Sequence, residues 1–239
     1  LSALKAHAVP PAASDHLRRI AAAAHSGVGT GDWLAEHEGK ALLARHGVPV
    51  PVGAVAATPA EAVQAAAAIA GPVALKVSHP EVQHKTDIGG VVLGLDDADQ
   101  VAVAAEQLLG LRRGAAVLVE AMATPGVEML VSATRDGVVP SLVVGTGGIF
   151  TEILSDVVVL PLPVDADRVA SALPELLGHP MLTGARGRPP VDIEALCTLA
   201  AAVGRALLDE GLSLIELNPV FVTAAGAVAG TGVLFNLTK

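Results

Sequence analysis

The sequence contains no tyrosine, one tryptophan, three phenylalanines and a single cysteine among 239 residues. Without large rings, the core has to be filled by closely packed Ala, Val and Leu. One cysteine, Cys197, excludes an internal disulfide and fits a reducing compartment, the cytoplasm. Long apolar runs are missing too. The stretches Ala62–Ala70 and Ala200–Leu208 are too short or too interrupted to span a bilayer, and no signal peptide marks the N-terminus. Positive charge is scarce. Fifteen Lys and Arg face 24 Asp and Glu, a net charge of −9, with no basic stripe or aromatic platform, which excludes general nucleic-acid binding. A P-loop and a dehydrogenase-type dinucleotide fingerprint are both absent. The first residue is Leu, so a fragment, a processed product or the downstream part of a longer polypeptide is expected.

What is present is an alternation of short apolar runs with helical segments, punctuated by Gly and Pro. Residues up to about 32 read as a peripheral linker carrying a short helix, Asp15–Ala24, begun by Ser14. Helical spacing and stop signals predict helices over Glu36–His46, Pro59 to about Ala70, the segment after Asp97 to Gly110, Asp165–Leu177 and Val191–Glu210. The last places Leu196, Leu199, Val203 and Leu207 on one face. Thr58-Pro59-Ala60-Glu61 has the form of a capping box with Pro at the first helical position. Strands are predicted at Val50–Ala56, Val73–Ser78, Val91–Leu95, Val117–Ala121, Val157–Leu160, Ser213–Leu217, Val220–Thr223 and Ala227–Val233. A hairpin joins Val127–Thr134 to Val138–Val144 around Arg135-Asp136-Gly137. Alternating strands and helices indicate α/β or α+β, and the late hairpins argue against a purely parallel doubly wound sheet.

The chemistry gathers in Ala74–Gly90, ALKVSHPEVQHKTDIGG. Lys76 sits inside an apolar strand, where it is either an edge lysine reaching solvent or a cation with a phosphate to meet. His84, flanked by Lys85 and Asp87, is a candidate nucleophile: a carboxylate fixes the imidazole tautomer and an ammonium draws in an anionic donor. His79 precedes Pro80 and ranks below it. Gly89–Gly90 permits positive φ and close approach of bare amides to a ligand. Glu120, ending the apolar run LVE, marks a hinge or points to water; Glu128 is a ribose acceptor or a solvated strand residue. Alternation puts Glu216 and Asn218 on one strand face, two oxygen donors suited to a hard cation, though Asn-Pro is also a turn starter.

The set ALKVSHPEVQHKTDIGGVVLGL, GVEML, GGIFTEILSDV, GARGRPP and IELNPV resembles the ATP-grasp domain of NDP-forming acyl-CoA synthetases, the β subunit or C-terminal part of a fused chain. Succinyl-CoA synthetase β chains are related. The likeness runs from about Glu36 to Val233. It implies an ATP-grasp fold of the α+β (α/β-like) class over residues 33–239, two α+β subdomains with nucleotide between a smaller one at about 50–115 and a larger one at 116–239. It also implies the reaction acyl-CoA + ADP + phosphate ⇌ acid + CoA + ATP through phosphohistidine. By this resemblance Lys76 contacts the phosphates, Gly89 and Gly90 cover them, and His84 accepts the phosphoryl group. Glu120, Ala121 and Met122 form the adenine hinge, Glu128 meets the ribose, and Glu216 and Asn218 hold Mg²⁺. CoA would be bound mainly by a partner α subunit or a fused N-terminal portion, and an oligomer is expected. One departure stands out. Where the family carries a second metal-binding aspartate this chain reads AVAGTGVLF, with Thr231 nearest, a neutral and weaker ligand. A degenerate scaffolding module and a carboxylate ligase acting through acyl phosphate are the alternative functions.

Overall fold

The computed structural model describes residues 32–82, 85–136, 138–148, 151, 155–185, 187–230 and 232–236. His84, Gly137, Thr231 and the helix expected at Asp15–Ala24 lie outside them. Two antiparallel sheets organise the chain. The smaller has strand order β2-β5-β3-β4, built from β2 (Gly53–Ala56), β3 (Val73–Ser78), β4 (Val91–Leu95) and β5 (Ala116–Ala121). The larger runs β1-β11-β9-β6-β7-β8, with β10 also paired to β9. Its members are β1 (Asp32–Trp33), β6 (Val127–Thr134), β7 (Ser141–Thr146), β8 (Val157–Pro161), β9 (Leu214–Thr223), β10 (Gly226–Ala229) and β11 (Gly232–Asn236). The ladders of both sheets are antiparallel, in keeping with the α+β expectation.

Each sheet has its own core. Helices α2 (Pro59–Ala67) and α3 (Ala98–Gly110) cover one face of the smaller sheet, where Leu75, Val77, Val117 and Val119 pack against Ala62, Val101 and Leu108. Local capping fixes where both helices begin. The Thr58 hydroxyl accepts from Glu61 N at 3.2 Å, and Asp97 Oδ1 accepts from Asp99 N at 2.6 Å. On the larger sheet, Met129, Val131, Leu142, Ile215 and Leu217 meet α6 (Ile193–Asp209), α4 (Ala166–Ala172) and Leu42 and Leu43 of α1 (Glu36–Arg45). Leu196, Leu199, Val203 and Leu207 are buried as their spacing predicts, and so are Ala200, Ala201 and Ala202. Small residues let this helix sink deep. Among the described residues no helix is long and apolar enough to cross a membrane.

Strand β5 pairs with both β2 and β3, which puts Ala116–Ala121 in the smaller sheet. Three expectations about element bounds are corrected. The two strands expected at Ser213–Leu217 and Val220–Thr223 are one, β9, whereas the single run Ala227–Val233 is split into β10 and β11. Both follow from one bulge: Leu217 pairs with Val131 but Val220 with Met129, which leaves one extra residue in β9 at Asn218–Pro219. Third, the helix expected over Asp165–Leu177 ends at Ala172 and tightens into a 3₁₀ turn, Leu173–Glu175, because Pro174 lacks the N–H that the α ladder needs.

Candidate functional site

Alternation along β3 and β5 turns Leu75, Val77, Val117 and Val119 into the small core and therefore puts Lys76 and Glu120 on the opposite face. Glu120 pairs with Ala74, two residues from Lys76, and the two side chains meet diagonally, with Lys76 Nζ 3.0 Å from Glu120 Oε2. Lys76 is only 7 % exposed, on a strand with neighbours on both sides, so it is no edge lysine. Glu120 is equally enclosed and does not point to water.

Helix α1 completes the cluster. Lys40 Nζ donates to both Glu120 oxygens, at 2.6 and 2.7 Å, and stands 3.0 Å from Glu36 Oε1. Glu36 meets Lys76 at 3.3 Å and Lys85 at 3.0 Å. From the link between β10 and β11, the Gly230 carbonyl accepts from Lys76 at 2.6 Å and from Lys40 at 3.0 Å. Three ammonium groups thus share two carboxylates where α1, the smaller sheet and the larger sheet meet, and one positive charge is left over. Burial alone would raise the Glu36 carboxyl, but Lys76, Lys40 and Lys85 outweigh it and hold it down to about 2. Burial, backed by repulsion from Lys76, takes Lys40 below its ordinary value against the pull of Glu36 and Glu120. Burial also works against the charge on Lys76, yet Glu36 and Glu120 lift it above its ordinary value.

A stability effect follows, with a definite sign. In the unfolded chain the Glu36 carboxyl takes up its proton near 4.5, whereas in the fold it stays ionised to about 2. Its contribution is complete above 4.5 and is lost as the pH falls from there to about 2. The gap corresponds to roughly 3 kcal/mol. Urea unfolding measured at falling pH, beside the carboxyl chemical shift of Glu36, checks this. A Glu36 carboxyl that titrates near its ordinary value would refute it.

The turn after His84 is shaped by its glycines. Gly89 takes φ +68°, and a Cβ on Gly90 would stand 2.6 Å from Val77 Cγ1 and 2.9 Å from the Lys85 carbonyl oxygen. Both amides are engaged within the turn: Gly89 N donates to Thr86 O at 3.2 Å and Gly90 N to Lys85 O at 2.6 Å. They are not bare, so what this turn offers a ligand is Lys85 and its neighbourhood. Asp87 is exposed, and His79 accepts from Glu81 N at 3.2 Å in a local turn role. At the end of β5, Ala121 N donates to Val52 O at 2.8 Å and Met122 N to Pro72 O at 3.3 Å; the Met122 side chain is exposed.

The remaining candidates form a second patch joined to the first. Gly230 N donates to Pro219 O at 3.0 Å, across from the β9 bulge. At that bulge Asn218 Oδ1 accepts from Gly148 N at 3.0 Å. Gly147 N donates to Glu128 O at 2.9 Å, and Gly148 lies so close to the Glu128 carboxylate that a Cβ there would collide with it. Glu216 lies half-buried on the strand face turned away from Ile215 and Leu217. Among the described residues no group of three or more His, Cys, Asp or Glu side chains gathers as a ligand set. Glu216 with Asn218, whose amide oxygen keeps a second lone pair, still fits Mg²⁺, which takes one or two protein oxygens and completes its shell with water and phosphate.

Sequence reasoning missed Glu36, Lys40 and Asp156. The first two have the i, i+4 spacing common to surface pairs, which carries no signal of a site. Asp156 is buried and accepts from the Thr146 hydroxyl at 2.6 Å and from Leu177 N and Gly178 N at 2.8 Å, which fixes the end of β7 to the turn before α5 (His179–Leu182). A single acid after a glycine-rich loop was its only signal.

The sequence matches the ATP-grasp domain family over residues 27–232. It is 33 % identical over 205 residues to the β subunit of acetate–CoA ligase [ADP-forming] I from Pyrococcus furiosus, covering 82 % of this chain and 88 % of that one. It is also 33 % identical over 196 residues to acetate–CoA ligase [ADP-forming] II from Archaeoglobus fulgidus, of which it spans 29 %. Among solved structures, the Candidatus Korarchaeum cryptofilum acetyl-coenzyme A synthetase 1, in complex with coenzyme A and Ca-AMPCP, superposes with a TM-score of 0.80 at 31 % identity, covering 92 % of this chain and 99 % of that one. The same enzyme with coenzyme A and Mg-AMPPCP has a phosphohistidine segment pointing towards the nucleotide binding site, at a TM-score of 0.76 and 31 % identity over 94 % of this chain and 99 % of that one.

Proposed function

Since the chain belongs to the ATP-grasp domain family, as the nucleotide-handling portion of the ADP-forming acyl-CoA synthetases, we propose that it carries a phosphoryl group between nucleotide and His84, coupled to acyl-CoA formation or cleavage. One observation carries the reading. The seam between the two sheets holds three lysines against two carboxylates, an excess positive charge next to the turn that follows His84. Desolvated cations left without a full set of counter-charges are a site for an anion, and a nucleotide phosphate is the anion this family handles.

In this reading the nucleotide lies between the subdomains. The backbone of the Glu120–Ala121–Met122 segment meets the base, Glu128 the ribose, and Lys76 the phosphates, under the turn that contains Gly89 and Gly90. A lone pair on the neutral His84 imidazole attacks the terminal phosphorus in line. The bond from phosphorus to the bridging oxygen breaks, leaving ADP and a phosphohistidine, and the reverse step makes ATP. Positive charge at Lys76 and Lys85 compensates the phosphate oxygens, and Lys85, beside His84 in sequence, draws the anionic donor toward it. Glu216 and Asn218 would hold Mg²⁺, which when bound screens charge on the phosphates. A partner α subunit, or an N-terminal portion of the same polypeptide, would bind CoA and exchange the phosphoryl group; in the Korarchaeum enzyme a phosphohistidine segment points towards the nucleotide binding site.

The test is transfer of label from γ-labelled ATP with Mg²⁺. The expected result is an acid-labile, base-stable phosphoryl group on the chain that vanishes in His84→Ala. Labelling that survives in His84→Ala refutes the assignment. Nucleotide binding without any labelling favours the carboxylate ligase, and no nucleotide binding at all favours the scaffolding module.

A further inference from the structure

We infer that Glu36 is an internal competitor of the nucleotide, a carboxylate that occupies Lys76 until a phosphate takes its place. The inference rests on the proposed meeting of Lys76 with nucleotide phosphate and adds what that meeting requires. An ammonium group has three N–H donors. Lys76 already faces three acceptors: the Gly230 carbonyl at 2.6 Å, Glu120 Oε2 at 3.0 Å and Glu36 Oε1 at 3.3 Å. A phosphate can therefore reach Lys76 only by displacing one of them.

The geometry selects which. The Gly230 carbonyl is the shortest contact and is fixed, because its glycine is wedged against Phe221, where a Cβ would stand 2.5 Å from the ring, and its N–H is held by Pro219. Glu120 is held by two bonds from Lys40, and its strand is zipped to β2 and β3. Glu36 makes the longest of the three contacts, and once released by Lys76 it still has Lys40 at 3.0 Å and Lys85 at 3.0 Å to neutralise it. Release of Glu36 is thus the exchange that leaves the freed carboxylate with two ammonium partners. Glu120, released by Lys76, would keep Lys40 alone.

Placing this carboxylate one turn before Lys40 on α1 also explains a costly feature. A Glu–Lys pair at i, i+4 contributes little on a surface, and burying its two charges costs several kcal/mol apiece, so packing alone would be served better by apolar residues. A counterion that holds Lys76 in place while the site is empty, then lets go, accounts for both members. Glu36 is the exchangeable acceptor, and Lys40 holds Glu120 and shares Glu36 after the exchange.

Calorimetric titration of the full chain with ADP tests it. The double variant Glu36→Gln with Lys40→Met removes the α1 pair and keeps the net charge of the cluster unchanged. Glu36→Asp keeps every charge and shortens the reach toward Lys76 by one methylene. Both are expected to bind ADP roughly five- to tenfold more tightly, because one charge-assisted competitor for Lys76 is weakened or removed. The Asp variant keeps the comparison open should the double variant not fold. A merely structural role predicts no gain in affinity. If wild type binds ADP and the folded variants bind it equally or more weakly, the inference is overturned. If wild type itself does not bind ADP, the nucleotide reading of the site fails instead.

Discussion

Lys76→Met is expected to lower the affinity for ADP and ATP by about a hundredfold or more while leaving the chain folded. The two halves of this result have different causes. The lysine supplies the charge that a nucleotide phosphate would meet in a site shielded from water, and removing a charge-assisted hydrogen bond there costs on the order of 3 kcal/mol. The fold, however, gains a balanced cluster. Without Lys76, Glu36 keeps Lys40 and Lys85, and Glu120 keeps both bonds from Lys40, so two carboxylates face two ammonium groups. Methionine also fills most of the volume of the lysine stem. Calorimetry with ADP and thermal unfolding of the same preparation check the two halves together. A folded Lys76→Met chain that binds ADP as wild type does would remove Lys76 from the nucleotide site.

The parts of this molecule legible in its sequence are those fixed locally. Strands β3 and β4 fall where alternation puts them, and Thr58 and Asp97 place their helix starts through caps that act within three residues. Elements fixed by distant pairing are not legible in this way. Pro219 has the look of a strand end, yet β9 passes through it because β6 supports both sides of the bulge, and the break comes instead in the opposing chain at Gly230. The site divides in the same way. Lys76, Gly89 and Gly90 announce themselves by an out-of-place charge and a doubled glycine. Glu36 and Lys40 do not, since a Glu–Lys pair on a helix is the usual sign of a solvated face. Only the packing of α1 against β11, with the smaller sheet within reach of its first turns, makes that face an interior one. Motif reasoning finds the cation, and the structure supplies what holds it.

Glu120 shows why that distinction matters, because its substitution is expected to act on stability where the resemblance assigns it to the adenine hinge. Its carboxylate is not turned toward a base; both oxygens are taken by Lys40, and Lys76 stands 3.0 Å away. Removing it leaves three lysines around the single carboxylate of Glu36, a buried excess of two positive charges, where removing any one lysine leaves none. Breaking a buried ion pair from one side costs about 3–5 kcal/mol, and for a chain of this size roughly 2–4 °C of Tm accompanies each kcal/mol. Glu120→Ala should therefore melt on the order of 10 °C below wild type, well below Lys76→Met, although both delete one buried charge. Adding Lys40→Met to Glu120→Ala restores the wild-type excess of one and should recover a large part of the loss. If Glu120 instead served the base directly, its variant would melt near wild type and lose nucleotide affinity alone. Thermal melts of the single and double variants decide between the two, and the order Glu120→Ala below Lys76→Met is the result that a charge-counting account of this seam requires.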